Sequence, residues 1–153
     1  MIPDGPPTLR RATLDDADRV REIVRAAYAK WVPVIGREPM PMRVDYAEAI
    51  GAHRIDLVLL QGEPAGLIET RAEVDHLWIE NVAVRPEDQG RGLGRRLLAL
   101  AEALADESAL AELRLLTNEA FADNVALYGK LGYRIDRREA FMGGMTLYMS
   151  KRL

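Results

Sequence analysis

The sequence predicts one domain of the α/β (α+β) class, a mixed, mostly antiparallel sheet flanked by about four helices. Three observations carry this. The elements follow one another in the order β-α-α-β-β-β-α-β-α-β-β, which layers helices on a sheet. Three Val/Ile/Leu-rich runs in mid-chain are separated only by turn signals, the pattern of an antiparallel meander. No repeat and no linker interrupts the chain. Its 153 residues, 48% hydrophobic and 29% charged, suffice for one core, because a chain of this length buries roughly 68–70% of its unfolded surface. The domain is expected over residues 8–153. Residues 1–7, with Pro3, Gly5, Pro6 and Pro7, read as a flexible N-terminal tail.

The elements are justified in order. Thr8–Ala12 is a short strand. Thr13 followed by Asp16 is a weak capping box. Val20, Ile23, Val24, Ala27, Tyr28 and Trp31 then recur at helical spacing, giving one amphipathic helix over 14–31. Pro33 is expected to end it. Residues 34–44 hold Gly36, Pro39 and Pro41 among Met40 and Met42 and read as a loop. Asp45 and Glu48 open a short helix at 45–52. Strands follow at 54–61, 65–71 and 75–84, the first two joined by a Gly62-Glu63 turn. Residues 91–107 form the strongest helix, with Leu93, Leu97, Leu98, Ala101 and Leu104 on one face. A strand at 112–117, a helix at 121–131 stopped by Gly132, and strands at 133–138 and 145–150 complete the chain.

Composition excludes whole chemistries. There is no cysteine, so disulfides, thiolate metal sites and cysteine nucleophiles are out, and a cytoplasmic location is expected. Serine occurs only at Ser108 and Ser150, neither in a nucleophile elbow. The two histidines, His53 and His76, lack metal-ligand spacing. Glu73 and His76 sit three apart in a β-like stretch without a second copy, and no metal is expected. With 21 basic against 24 acidic residues, no global basic field invites nucleic acid. No run of 18 apolar residues points to a membrane, and the N-terminus has no signal-peptide core.

The informative stretch runs from Asn81 through Val84 to Gly94. A strand enters a glycine-rich turn that opens directly into a helix. Glycines let a ligand approach main-chain amides closely, and a helix start offers free N–H groups with partial positive charge. Arg91, Arg95 and Arg96 add local positive charge. Together these make a phosphate or diphosphate site. The P-loop Lys-Ser/Thr is missing, and the dinucleotide pattern fails because Arg95 or Leu97 stands at its last glycine. A second constellation lies about thirty residues on. Asn124 and Tyr128 share a helix face at i, i+4, so an amide and a phenol project to one region.

Taken together, the two segments resemble the GNAT acetyltransferase superfamily. Gln89-Gly90-Arg91-Gly92-Leu93-Gly94 is similar to its acetyl-CoA motif, and Asn124, Ala126, Tyr128, Leu131, Gly132 and Tyr133 to its second motif. The resemblance implies a GNAT-like sheet and an acetyl-CoA-dependent N-acetyltransferase acting on a primary amine, a small molecule or a peptide, by direct attack in a ternary complex. It implies that the amides of Gly90–Arg95 hold the CoA diphosphate. The main chain of Val82, Ala83 and Val84 would pair with the pantetheine arm as an added strand does. Asn124 would touch that arm, and Tyr128 would protonate the leaving thiolate. Glu80, at i−2 from Val82 and so expected on its face, is the candidate base; Glu69 on the neighbouring strand is the alternate. Tyr28, Trp31, Arg37 and Met40 would border the acceptor, with Glu69. Arg37 and Arg43 favour an acceptor carboxylate, while Glu69 and Glu80 favour a cation, and the two cues conflict. The resemblance also allows a homodimer through the C-terminal strands. The alternative is a non-catalytic acyl-CoA-binding regulatory module of the same fold.

Overall fold

The computed structural model describes residues 5–153. The first four residues of the expected tail lie outside the described residues; residues 5–7 form no regular element. The strands are β1 (Thr8–Arg11), β2 (Arg54–Leu60), β3 (Glu63–Ala72), β4 (Leu77–Val84), β5 (Glu112–Asn118), β6 (Arg134–Phe141) and β7 (Gly144–Arg152). They form one sheet in the order β1-β2-β3-β4-β5-β7-β6. Every neighbouring pair is antiparallel except β4–β5, which is parallel. The helices are α1 (Ala17–Tyr28), α2 (Val32–Ile35), α3 (Tyr46–Ala52), α4 (Leu93–Glu107) and α5 (Ala122–Lys130). The expected mixed, mostly antiparallel sheet is present, with one helix more than the sequence predicts.

That extra helix corrects one reading. The run over 14–31 is indeed helical, with 3-10 turns at both ends, but Pro33 does not end it. Pro33 sits in the first turn of α2, where a missing N–H costs nothing and its fixed φ suits the helix. Gly36 at φ +76° turns the chain instead. Residues 40–43, expected as loop, also make a 3-10 turn. Glu73 and His76 sit in the β3–β4 connection rather than in a strand.

Two cores sandwich the sheet. Leu93, Leu97, Leu98 and Ala101 of α4 pack with Leu77, Ile79, Leu113 and Leu115 on one face. Val20, Ile23, Val24 and Ala27 of α1, with Tyr46 of α3, pack with Ile55, Leu57 and Leu67 on the other. Strand β4 carries a bulge. Glu69 pairs with Asn81, but Thr70 pairs with Ile79, so Glu80 is the extra residue. A bulge shifts the inward-outward alternation by one. Leu77 and Ile79 face α4 before it, and Val82 and Val84 face α4 after it. Asn81 and Ala83 face α1. The expectation that Glu80 shares a face with Val82 is therefore overturned: Glu80 lies on the α1 side with Trp78, whose Nε1 donates to its carboxylate at 2.6 Å.

Strand β3 approaches β4 closely at Gly66, paired with Val84. A Cβ there would stand 2.8 Å from the Ala83 carbonyl oxygen and 3.1 Å from a Val58 methyl. The backbone oxygen cannot swing away, so Gly66→Ala is expected to cost about 1–3 kcal/mol as overpacking does. A lower denaturant midpoint at unchanged m-value is the result to measure.

Candidate active site

The site forms where β4 and β5 part. They pair only over Leu77–Ile79 and Leu113–Leu115; beyond Ile79 no ladder joins them, and α5 packs beside the opening. Two cavities meet there. One, of about 360 Å³, lies beside the glycine turn and is lined by Val82–Val84, Gln89, Gly90, Gly92–Arg95 and Leu127. The other, of about 110 Å³, lies in the gap between the strands, with Ile79, Glu80, Asn81, Leu115 and Thr117 in its walls. Tyr28, Val82, Asn124 and Tyr128 line both.

The turn cavity is built by backbone conformation. Gly90 and Gly92 have φ +82° and +79°, the left-handed region that a Cβ disfavours. Gly92 is the N-cap of α4 and brings no side-chain cap. Among the described residues, the amides of Gly90 through Arg95 have no protein acceptor; the first α4 bond runs from the Arg96 amide to the Gly92 carbonyl at 3.1 Å. Gly94 allows α5 to come close, since a Cβ there would stand 3.2 Å from Leu127 Cδ2. Gln89 fixes the turn by donating from Nε2 to the Val84 carbonyl at 3.1 Å. The Arg91 side chain does not line the cavity; it lies 56% exposed, 3.8 Å from Asp88. Asp88 is held at 2.6 Å by Arg85, which offsets its buried charge beside the turn.

Lys30 carries no sequence signal of its role. Its ammonium lines the turn cavity, bonding Gln89 Oε1 at 3.3 Å and pairing with Asp123 at 3.2 Å. Trp31, expected beside the acceptor, lines this cavity rather than the gap, stacked on Phe121 with centroids 5.0 Å apart.

Around the gap cavity the polar groups fall into two kinds. Tyr28 and Tyr46 are committed. The Tyr28 hydroxyl donates to Asn81 Oδ1 at 2.7 Å, Asn81 Nδ2 donates to the Tyr46 hydroxyl at 3.3 Å, and that hydroxyl donates to the Pro41 carbonyl at 2.7 Å. Burial raises both phenols well above their ordinary pKa. Tyr128 is uncommitted: among the described residues its hydroxyl has no hydrogen-bond partner, and it lines both cavities. Burial alone pushes its pKa up to about 12. Asn81 enters the site without having been singled out as a side chain; a buried amide inside a Val/Ile strand is the signal that could have found it.

The two carboxylates part company. Glu80 lines the gap cavity at its rim, with Arg71 at 3.6 Å. Glu69, the alternate base and an expected neighbour of the acceptor, lines neither cavity. It is buried and bonded to His53 Nδ1 at 2.6 Å. Burial raises its pKa, while the His53 bond opposes the rise. Arg37 and Met40 line the gap cavity; Arg43 does not. Among the described residues, no three His, Asp or Glu side chains gather as a metal site, and no helix is long and apolar enough to cross a membrane.

The site is thus a sheet split between two parallel strands with a bare helix start at the mouth of the split. Residues 18–133 match the sequence model of the acetyltransferase (GNAT) family, and the chain belongs to that family. Solved structures agree on the fold. The PaiA N-acetyltransferase of Thermoplasma acidophilum, in complex with coenzyme A, superposes with a TM-score of 0.84 at 18% identity over 97% of this chain and 100% of that one. The ribosomal-protein-S18-alanine N-acetyltransferase of Escherichia coli gives a TM-score of 0.78 at 21% identity, over 96% of this chain and 94% of that one. An acetyltransferase of Thermus thermophilus gives a TM-score of 0.71 at 21% identity, over 96% of this chain and 97% of that one. No curated protein sequence matches the chain.

Proposed function

We propose that the protein transfers an acetyl group from acetyl-CoA to a primary amine by direct attack in a ternary complex. One observation carries the reading: among the described residues, six consecutive amides, Gly90 to Arg95, have no protein acceptor at the start of α4, beside the parted edge of β4. Such amides and the helix dipole suit a diphosphate. The free edge of Val82–Val84 suits an extended amide-bearing arm, with Asn124 alongside and the reacting carbonyl at the shared wall of the two cavities. Main-chain N–H groups at Val82 and Val84 would polarise that carbonyl.

Tyr128 donates the proton that the departing thiolate needs. Its protonated phenol is the form present at working pH, since its pKa stands at about 12. Glu80, at the rim of the gap cavity, takes the proton of the incoming ammonium, directly or through water. A lysine-like amine has a pKa near about 10.4, so this proton must leave before attack.

Titration calorimetry with acetyl-CoA, CoA and ATP, followed by a thiol-release assay over a panel of amines, tests the proposal. Acetyl-CoA and CoA are expected to bind at least about tenfold more tightly than ATP, and thiol release is expected to depend on an amine. Acetyl-CoA binding without release would mark a regulatory module; preferred ATP binding would overturn the cofactor reading.

A further inference from the structure

Resting on the acetyl-transfer reading, we propose that the acceptor is an amino acid, whose carboxylate is bound by Arg37 and whose amine faces Glu80 in the gap cavity. Two charges of opposite sign meet one small cavity. Glu80 lines it from β4 and Arg37 from the segment after α2. Arg37 enters because Gly36 turns the chain at φ +76°. Its guanidinium lies against the Phe141 ring, 5.7 Å from the centroid, a contact that fixes an arginine without neutralising it.

Arg37 is also under-satisfied. Its Nε is buried with no hydrogen-bond partner, and Nη1 reaches only the Glu38 carbonyl at 3.3 Å. The nearby carboxylates are taken: Glu38 pairs with Arg25 at 3.4 Å and Glu119 with Arg138 at 2.7 Å. Among the described residues, no carboxylate pairs with Arg37. A guanidinium is charged at every working pH, and its fork of donors matches a carboxylate. An acceptor carboxylate supplies the ion-pair partner that this guanidinium lacks.

The conflict between cationic and anionic cues in the sequence is resolved by placement. Arg43 and Glu69 do not line the cavity, which leaves Arg37 and Glu80 as its charged walls, with Arg71 3.6 Å from Glu80 outside the lining; opposite charges on one cavity complement a zwitterion. The other walls are uncharged; Ile35, Met40, Ile79 and Phe121 supply apolar surface for the carbon skeleton, beside neutral polar groups such as Asn81 and Thr117. A cavity of about 110 Å³ suits a small acceptor.

The test is a steady-state thiol-release series on the full chain. It uses α-amino acids with apolar side chains and straight-chain amino acids from β-alanine to 6-aminohexanoate. Each is paired with its carboxamide and its decarboxylated amine. The best acid is expected to exceed its amide in kcat/KM by at least about tenfold. Arg37→Gln should collapse that acid-to-amide ratio toward one, mainly through KM of the acid, and Arg37→Lys should retain part of it. Acetyl-CoA affinity, measured by calorimetry on each variant, should stay within about twofold. Should a variant misfold, the wild-type ratio still decides. Amides or plain amines that match or beat the acids, no acid raising thiol release above hydrolysis, or an unchanged ratio in Arg37→Gln would each overturn the proposal while leaving the acetyl-CoA reading intact. Failure of acetyl-CoA to bind would instead overturn the reading on which it rests.

Discussion

Replacing Tyr128 by phenylalanine is expected to lower kcat by about 10²-fold or more while leaving acetyl-CoA affinity within about twofold. The magnitude follows from the range for a positioned general acid, about 10²–10⁴-fold. The selectivity follows from the packing. The Tyr128 ring is buried against Tyr133, with centroids 5.7 Å apart, and phenylalanine keeps that contact. Only the hydroxyl goes, and among the described residues no protein group is bonded to it. The pH dependence is fixed in sign. Burial raises the Tyr128 pKa to about 12, so the donor form is present throughout the neutral range and is lost only as pH climbs toward that value. The wild-type kcat profile should therefore show no descending limb from this group below about pH 11. Tyr28→Phe supplies the contrast. Its hydroxyl is spent on Asn81 at 2.7 Å, so its loss should lower stability by about 1 kcal/mol and change kcat far less. Equal turnover in Tyr128→Phe and wild type would remove Tyr128 from the acid role.

What is legible in the sequence is whatever rests on local pattern. The strand-turn-helix at 81–94, the 3.6-residue stripe of α4 and the i, i+4 pairing of Asn124 with Tyr128 depend on neighbours in the chain, and the structure has them. What is not legible depends on pairing between distant segments. Glu80 and Val82 sit two apart, which in a regular strand means one face. The bulge opposite Glu69–Thr70 breaks that rule, and only the β3–β4 register reveals it. The parting of β4 from β5 is a failure of pairing, which leaves no trace in either strand's own residues. Glu69 lies on a strand as Glu80 does, yet it is buried and bonded at 2.6 Å to His53, sixteen residues earlier. Pro33 is ambiguous because proline forbids a helix interior but favours a first turn, and nothing local shows that a new helix begins at Val32.

The same division explains why the acceptor side is harder to read than the cofactor side. The turn cavity is made largely by one continuous segment, 82–95. The gap cavity draws its side chains from α1, α2 and the loop after it, β4, β5, α5 and the β6–β7 hairpin. Its charge pattern, Arg37 against Glu80, exists only once those elements are assembled.

Gly92→Val is expected to weaken acetyl-CoA binding by at least about thirtyfold, roughly 2 kcal/mol, with a much smaller fractional change in kcat at saturation. Gly92 holds φ +79° at the N-cap of α4, a conformation that costs an ordinary L-residue about 1–2 kcal/mol and a β-branched one more. A Cβ there meets nothing within 4 Å, so the strain is purely that of the backbone. The chain relieves it by rotating out of the left-handed region, which turns the amides of Leu93, Gly94 and Arg95 away from their common focus. Hydrogen bonds to a charged partner contribute about 1.5–3 kcal/mol each, so misaligning one or two accounts for the expected loss. Gly62 is a matched control. It too has φ +79° with nothing within 4 Å, but it lies in the β2–β3 turn away from both cavities. Gly62→Val should lower Tm by a similar few degrees and leave acetyl-CoA affinity unchanged. If Gly92→Val lost only what Gly62→Val loses, the glycine turn would be a structural junction and the diphosphate would have to bind elsewhere.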